Sequence, residues 1–324
     1  MTGGATARVI DATPPQPAPG EVIIETARSA ICGSEMKAYR GAGMTGGNSG
    51  HEAVGTIIEL GEDVTSLQIG QRVGVSAVVG CGDCAECESG RFTWCKAARS
   101  RSRMHAEQFA IHARACSPLP ADLPWDEATL LTGDGMGVPG HTAKKIDRAD
   151  IETIVVMGLG PIGLGNVLMQ AHLGRRVIGV DIIDYRVHFA KQLGADVSLK
   201  ADETLIDRIM DLTDGNGADV VIDCAGQRAS VANSFLSARR GGIVVFNGES
   251  MDELLAPSRD FNRREIWAVG CWYYFMREVP EMFALWRNGL DVAKMITHQF
   301  ALAEAPEAFA LFDKGRTGKV LLRP

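Results

Sequence analysis

Residues 153–163 read Thr153-Ile154-Val155-Val156-Met157 and then Gly158-Leu159-Gly160-Pro161-Ile162-Gly163. The first five form an apolar, β-branched run of the length expected for a strand buried on both faces. In the turn that follows, Gly158 permits the tight bend, Gly160 lets the backbone approach a pyrophosphate, and Gly163 allows a helix to pack closely on the strand. Pro161 suits the first turn of a helix, where its missing N–H costs nothing. The helical pattern runs on to about Leu173. The free N–H groups and the dipole of such a helix, with Ile162 in its first turn, favour phosphates. The next strand-like run ends at Asp181, about 20 residues on, where a carboxylate accepts the ribose hydroxyls and repels a 2′-phosphate. These residues predict a dinucleotide site that prefers NAD, and Arg186 is placed to lie over the adenine.

Outward from this turn, Ile154–Met157, Val177–Val180, Val220–Asp223 and Ile243–Phe246 are short apolar runs separated by helical periods. That alternation, from about 150 to 270, predicts an α/β domain, a parallel sheet covered by helices on both faces. Asn247 and Gly248, just past a parallel strand, should face its ligand crevice. Residues 1–145 have a different texture: Gly and Pro punctuate short β-type runs such as Glu21–Glu25 and Val54–Leu60. Residues 271–324 carry one helical segment, Val279–Trp286, and end in the β-like Lys319–Leu322. A β-rich domain built from both ends of the chain therefore surrounds the nucleotide-type domain. The aromatic run Trp272-Tyr273-Tyr274-Phe275 reads as core or subunit interface.

Composition sets the outer limits. With 324 residues, 46% of them hydrophobic and 23% charged, two globular domains are expected and disorder, collagen and coiled coil are excluded. A net charge of -7 argues against nucleic acid as a partner. The longest uncharged stretch, Ile154–Gly174, is too interrupted by glycine to span a membrane. The N-terminus shows no basic start followed by an apolar run, so a cytoplasmic protein is expected. Its eight cysteines are then thiols or metal ligands rather than disulfides.

Four of those cysteines are Cys81, Cys84, Cys87 and Cys95, spaced C-x2-C-x2-C-x7-C. Four thiolates so close together can close a tetrahedral shell around zinc, which leaves no place for substrate and makes the site structural. An iron–sulfur cluster uses similar spacing and is the competing reading, but Asp83, Glu86, Glu88 and Arg91 make the loop a poor low-dielectric cradle for one, which favours zinc. Further towards the N-terminus, Cys32 lies in Ile31-Cys32-Gly33-Ser34-Glu35 and His51 in Gly50-His51-Glu52.

Together with the glycine turn, these motifs resemble the zinc-dependent medium-chain dehydrogenases, the alcohol, sorbitol and threonine dehydrogenase superfamily. The likeness covers nearly the whole chain. GCWYYF, ITHQF and APEAFALF with GKVLL are most similar to its threonine-dehydrogenase-like branch. The resemblance implies a GroES-like β domain (1–145 and 271–324, with the structural zinc lobe at 81–95) joined to an α/β domain of the Rossmann type, which it bounds at 146–270. It implies NAD and two zinc ions, one catalytic and one structural. Cys32 and His51 become ligands of the catalytic zinc, Glu52 an exchangeable ligand or supporting carboxylate, and Asp134, in Thr132-Gly133-Asp134-Gly135, the further ligand. Three ligands and one open position let zinc acidify an alcohol or polarise a carbonyl. Ser34 matches the hydroxyl that hands on the substrate proton. Two positions depart from the family pattern. Glu35 stands where Asp is common, yet could still orient His51. Lys37 stands where a proton-accepting His is common, and an ammonium cannot accept.

By the same resemblance Lys319 falls where a cation for the pyrophosphate is often found. His105, His112, His141, His172, His188 and His298 lack ligand spacing and read as surface or core residues, while Cys116, Cys224 and Cys271 read as buried thiols. The function expected is reversible oxidation of a secondary alcohol (polyol, amino alcohol or hydroxy-amino acid) by a homodimer or homotetramer. A zinc-assisted reductase of conjugated alkenes or iminium groups is the rival enzyme, which the altered relay at Lys37 permits. A catalytically idle NAD- and zinc-binding protein is the third reading, opposed by the intact Cys32, Ser34 and His51.

Overall fold

The computed structural model describes residues 1–250 and 255–324. The chain forms two compact units, Met1–Gly137 with Tyr274–Pro324, and Val138–Tyr273.

The first unit is built on a seven-stranded sheet that is antiparallel except at one edge. Its path runs Ile296–Ala301, Lys319–Arg323, Glu21–Ala30, Ala53–Leu60, Arg72–Val75 and Cys116–Pro118, with Gln108–His112 also paired to Glu21–Ala30. Glu21–Ala30 is the hinge of the arrangement. Its first half pairs with Gln108–His112 and its last two residues with Leu321 and Leu322, so one strand serves two neighbours on the same side. Its other side pairs antiparallel with Ala53–Leu60, in a register that sets Ser29 opposite Ala53. The chain leaving the first strand at Cys32 is therefore brought beside the chain entering the second at His51. Ile31, Met36, Tyr39, Phe309, Phe312, Val320 and Leu322 form the apolar cluster behind this point. The tail holds one helix more than its sequence pattern predicted: Ala305–Asp313 follows Val279–Arg287. Ala305, Ala308, Phe309 and Phe312, spaced three or four apart on one face, seat it on that cluster.

The second unit is a six-stranded, wholly parallel sheet in the order Val197–Lys200, Arg176–Asp181, Thr153–Met157, Ala218–Asp223, Ala238–Phe246, Trp267–Gly270. The chain enters at Thr153–Met157, winds outward to one edge, then returns to wind outward to the other. The glycine turn follows the strand at which the winding reverses, the place where open α/β sheets bind ligands. The four predicted strands are the inner ones, buried on both faces and hence almost wholly apolar, Asp223 at the end of one being the exception. The edge strands Val197–Lys200 and Trp267–Gly270 are half-buried or exposed and carry no such signal. Of the aromatic run, Tyr273, Tyr274 and Phe275 are buried and Trp272 is exposed. Among the described residues no helix is long and apolar enough to cross a membrane.

Candidate active site and metal centres

Cys81, Cys84, Cys87 and Cys95 converge in the lobe. Cys84 precedes the short helix Ala85–Glu88, Cys87 lies within it, and Cys95 follows the single turn Phe92–Trp94. Their sulfurs stand 3.5 Å (Cys84–Cys87), 3.6 Å (Cys95–Cys81) and 3.9 Å (Cys81–Cys87) apart. A tetrahedron of thiolates around zinc, with bonds of about 2.3 Å, has edges of about 3.8 Å. The donor set fits one zinc ion, and an assembly of several iron atoms has no room between sulfurs this close. Gly80 is required here, because a Cβ would fall 2.2 Å from the Cys87 sulfur.

The second group is Cys32, His51, Glu52 and Asp134, whose donor atoms all lie within 4.8 Å of one another. The strand pairing described above delivers the first three. Asp134 arrives from the start of the helix Asp134–Lys145. Its Oδ2 lies 3.2 Å from His51 Nε2 and 3.8 Å from the Cys32 sulfur. Tetrahedral zinc would set those edges at about 3.3 and 3.6 Å. Asp134 Oδ1 is buried without a hydrogen-bond partner, a costly condition unless the carboxylate has a cation to serve. His51 reports the same excess of negative charge. Burial pushes its pKa down, but hydrogen bonds and charge from Asp134 and Cys32 more than reverse this and hold it well above the ordinary histidine range. The residues fit a divalent metal.

Glu52 is occupied otherwise. One oxygen pairs with the Lys319 ammonium, and the other accepts the Gly135 N–H at 3.3 Å. Both side chains of the pair are fully buried. Burial raises the pKa of Glu52 against the opposing pull of Lys319, while Glu52 raises that of Lys319 against the effect of burial. Lys319 thus stands beside the metal group and is neither solvated nor free to meet a pyrophosphate, as its sequence position had suggested. The glycines around Asp134 have a matching reason. A Cβ on Gly133 would fall 2.7 Å from Glu52 Oε2, and one on Gly135 would fall 2.9 Å from Lys319 Cε.

Glu35 is joined to His51 through Ser49 rather than directly. Its Oε1 accepts the Cys32 N–H at 2.9 Å, its Oε2 accepts the Ser49 hydroxyl at 3.0 Å, and both oxygens lie 3.1 Å from His105 Nε2. Burial would raise its pKa, yet the charge and hydrogen bond of His105, with help from His51 and the Cys32 N–H, hold it down at about 2. His105 had no motif to mark it. It is buried, and its Nδ1 lies 2.8 Å from the Ser29 hydroxyl. Ser34 is exposed, with its hydroxyl donating to the Cys32 sulfur at 3.3 Å. Lys37 is exposed on Met36–Arg40.

In the second unit the glycine turn has the expected form. Gly158 has φ +89°, Pro161 opens the helix Pro161–His172, and a Cβ on Gly163 would strike the Gly158 carbonyl at 1.8 Å. A Cβ on Gly160 would meet nothing within 4 Å, so the space before the helix N-terminus is open. Asp181 is buried. Its carboxylate accepts the Leu159 N–H at 2.7 Å and the Ile183 N–H at 2.9 Å, which ties it to the turn. The Arg186 guanidinium lies 3.7 Å from Asp181. The Asn247 amide is bound to Thr142, Asn166 and the Cys271 carbonyl. Cys116 and Cys271 are buried and Cys224 is partly so.

Two family models match in tandem: an alcohol dehydrogenase GroES-like domain over residues 18–121 and a zinc-binding dehydrogenase over residues 161–288. An L-threonine 3-dehydrogenase of Burkholderia mallei is 30% identical over 327 residues, spanning 95% of this chain and 93% of the relative. The chain belongs to the zinc-dependent medium-chain dehydrogenase/reductase family. An L-threonine 3-dehydrogenase of Coxiella burnetii is 29% identical over 95% of this chain and 94% of its own length. Among solved structures, an alcohol dehydrogenase (rspB) of E. coli CFT073 complexed with NADH superposes with a TM-score of 0.88 at 26% identity, covering 99% of this chain and 97% of that one. The alcohol dehydrogenase TADH of Thermus sp. ATN1 shares the fold, with a TM-score of 0.90 at 23% identity over 100% and 98% of the two chains. The β-rich unit is GroES-like and the parallel-sheet unit is of the Rossmann type. As a member of this family the protein is a zinc-dependent, nicotinamide-linked oxidoreductase of CH–OH substrates.

Proposed function

We propose that this dehydrogenase oxidises a secondary alcohol of the polyol, amino alcohol or hydroxy-amino acid type with NAD, at a zinc held by Cys32, His51 and Asp134. The division of labour between the two carboxylates carries this reading. Glu52 is engaged by Lys319 and the Gly135 N–H, whereas Asp134 presents one oxygen to His51 and Cys32 and leaves the other without a partner. Three donors and one open position are the signature of a catalytic zinc. Bound there, the metal supplies Lewis-acid chemistry: it acidifies a hydroxyl or polarises a carbonyl.

The chain's own groups do the rest. Ser34, exposed beside the Cys32 sulfur, takes the hydroxyl proton of the substrate and passes it to solvent. Lys37, one turn further along the same stretch, lies exposed on that exit path. Glu35 supports the ligands from behind. Gly158, Gly160, Pro161, Ile162 and Gly163 hold the pyrophosphate at the helix N-terminus, Asp181 takes the ribose hydroxyls, and Arg186 borders the adenosine. The L-threonine 3-dehydrogenases it resembles place hydroxy-amino acids first among the substrates to try. Family resemblance further supports a homodimer or homotetramer, and eight free cysteines suit a cytoplasmic setting.

Metal content and NAD binding, measured together, test the assignment. Wild type should hold two zinc equivalents, and Cys32→Ser and Asp134→Asn one each, with NAD affinity unchanged. Wild type should also reduce NAD with at least one member of a panel of polyols, amino alcohols and hydroxy-amino acids. Two equivalents retained in Asp134→Asn but one in Glu52→Gln would transfer the ligand role to Glu52.

A further inference from the structure

We infer that His105 is a positioning residue of the metal centre, holding His51 in place through Glu35 and Ser49; this rests on the reading of Cys32, His51 and Asp134 as metal ligands. The connection can be followed atom by atom. His51 Nδ1 lies 2.8 Å from the Ser49 carbonyl, which can only accept, so Nδ1 donates there and Nε2, 3.2 Å from Asp134, is the nitrogen that faces the metal position. The Ser49 hydroxyl in turn donates to Glu35 Oε2, and Glu35 Oε1 accepts the Cys32 N–H. One carboxylate thus ties together the backbone of one ligand and the neighbour of the other. That carboxylate is fully buried, and an isolated buried charge does not stay where it is put. His105 Nε2, 3.1 Å from both its oxygens, is the donor that keeps it there.

The imidazole is itself fixed on every side. Its Nδ1 meets Ser29 on the strand Glu21–Ala30, and Phe309 packs edge-on with ring centroids 5.8 Å apart. Asn48 clasps its backbone: Nδ2 donates to the His105 carbonyl at 3.0 Å, and Oδ1 accepts the His105 N–H at 3.2 Å and the Gly50 N–H at 3.0 Å. Gly50 has no side chain because a Cβ there would fall 2.5 Å from His105 Cγ. The ring therefore rests directly on the backbone of the residue before His51. Outer partners of this kind set the tautomer and orientation of a metal-ligating histidine, and their loss typically weakens metal binding about 10–100-fold.

The test uses the zinc-loaded protein in four forms: wild type, Cys32→Ser, His105→Phe and His105→Gln. The readouts are metal equivalents surviving titration with a chelator and the thiolate-to-metal absorption of the Co2+-substituted protein. Phe fills the space without an N–H, while Gln restores a donor towards Glu35. Wild type should hold two metals and Cys32→Ser one. His105→Phe should keep the four-cysteine metal and its NAD affinity, bind the second metal about 10–100-fold more weakly, and shift the cobalt spectrum. His105→Gln should recover most of both. Unchanged second-metal affinity and spectrum in His105→Phe would overturn the inference, as would Gln and Phe variants equally impaired, since that would mark a packing role alone. A single metal in wild type would instead refute the underlying metal-site reading, and the role of His105 with it.

Discussion

Glu52 and Lys319 form a charge pair with no solvent contact, and such a pair is held less by its own energy than by the cost of breaking it. Removing one partner strands the other charge in the interior, a penalty of about 3–5 kcal/mol. Glu52→Ala and Lys319→Met should each lose about that much in urea unfolding, whereas the double variant Glu52→Leu/Lys319→Met should recover most of it. Equal losses in the single and double variants would mean that packing, not charge, dominates there. Glu35 makes a prediction in pH. Its pKa is lowered from 4.5 to about 2 on folding, so the unfolded chain binds the proton more readily. The stability it contributes is complete above pH 4.5 and is lost as pH falls towards about 2. Glu35→Gln should therefore be less stable than wild type at neutral pH and should show a shallower decline of stability with acid through that window.

The unit formed by Thr153–Met157, the glycine turn and Pro161–His172 separates two uses of glycine. At Gly163 the missing side chain is structural, because a Cβ would overlap the Gly158 carbonyl. At Gly160 the backbone is in the ordinary extended region (φ -68°) and the Cβ would meet nothing. On the proposed reading, the space it would enter is the one the pyrophosphate occupies. Gly160→Ala should leave the thermal midpoint within about 1 °C of wild type, a shift below that of 1 kcal/mol for a chain this size, yet weaken NAD binding at least tenfold in calorimetry. Gly163→Ala should lower both. If Gly160→Ala binds NAD normally, the phosphates lie elsewhere. The helix Trp125–Leu131 and the turn after it show the same logic around the metal. Gly133 and Gly135 are small so that Glu52 and Lys319 can lie against the backbone that presents Asp134.

Across the whole molecule the two metal groups lie in one unit and the glycine turn with Asp181 in the other. Among the described residues, no ligand of either metal group lies within 138–273. A Cys32→Ser/Cys84→Ser variant should accordingly lose both zinc equivalents while keeping NAD affinity within about twofold, a margin of about 0.4 kcal/mol. A large loss of NAD binding would show that the metals also support the nucleotide unit. Much of this plan could be read along the chain, for a local reason. The glycine turn, the inner strands and the four-cysteine lobe each complete their function within a short stretch, so backbone geometry and ligand spacing leave a direct trace in residue order. Cys32, His51 and Asp134 became legible together only through family resemblance, since Asp134 is 102 residues from Cys32 in sequence and an Asp at a helix start is ordinary. Other parts left no trace. Nothing in local order says that Lys319 pairs with Glu52, that Glu52 also accepts the Gly135 N–H, or that Glu35 meets His105. Those facts depend on strand register: the end of Glu21–Ala30, the start of Ala53–Leu60, the start of Lys319–Arg323 and the Met104–His105 segment meet at one point of the sheet. A buried charge takes its partner from whatever the fold sets within about 3 Å, and that distance is defined in space, not along the chain.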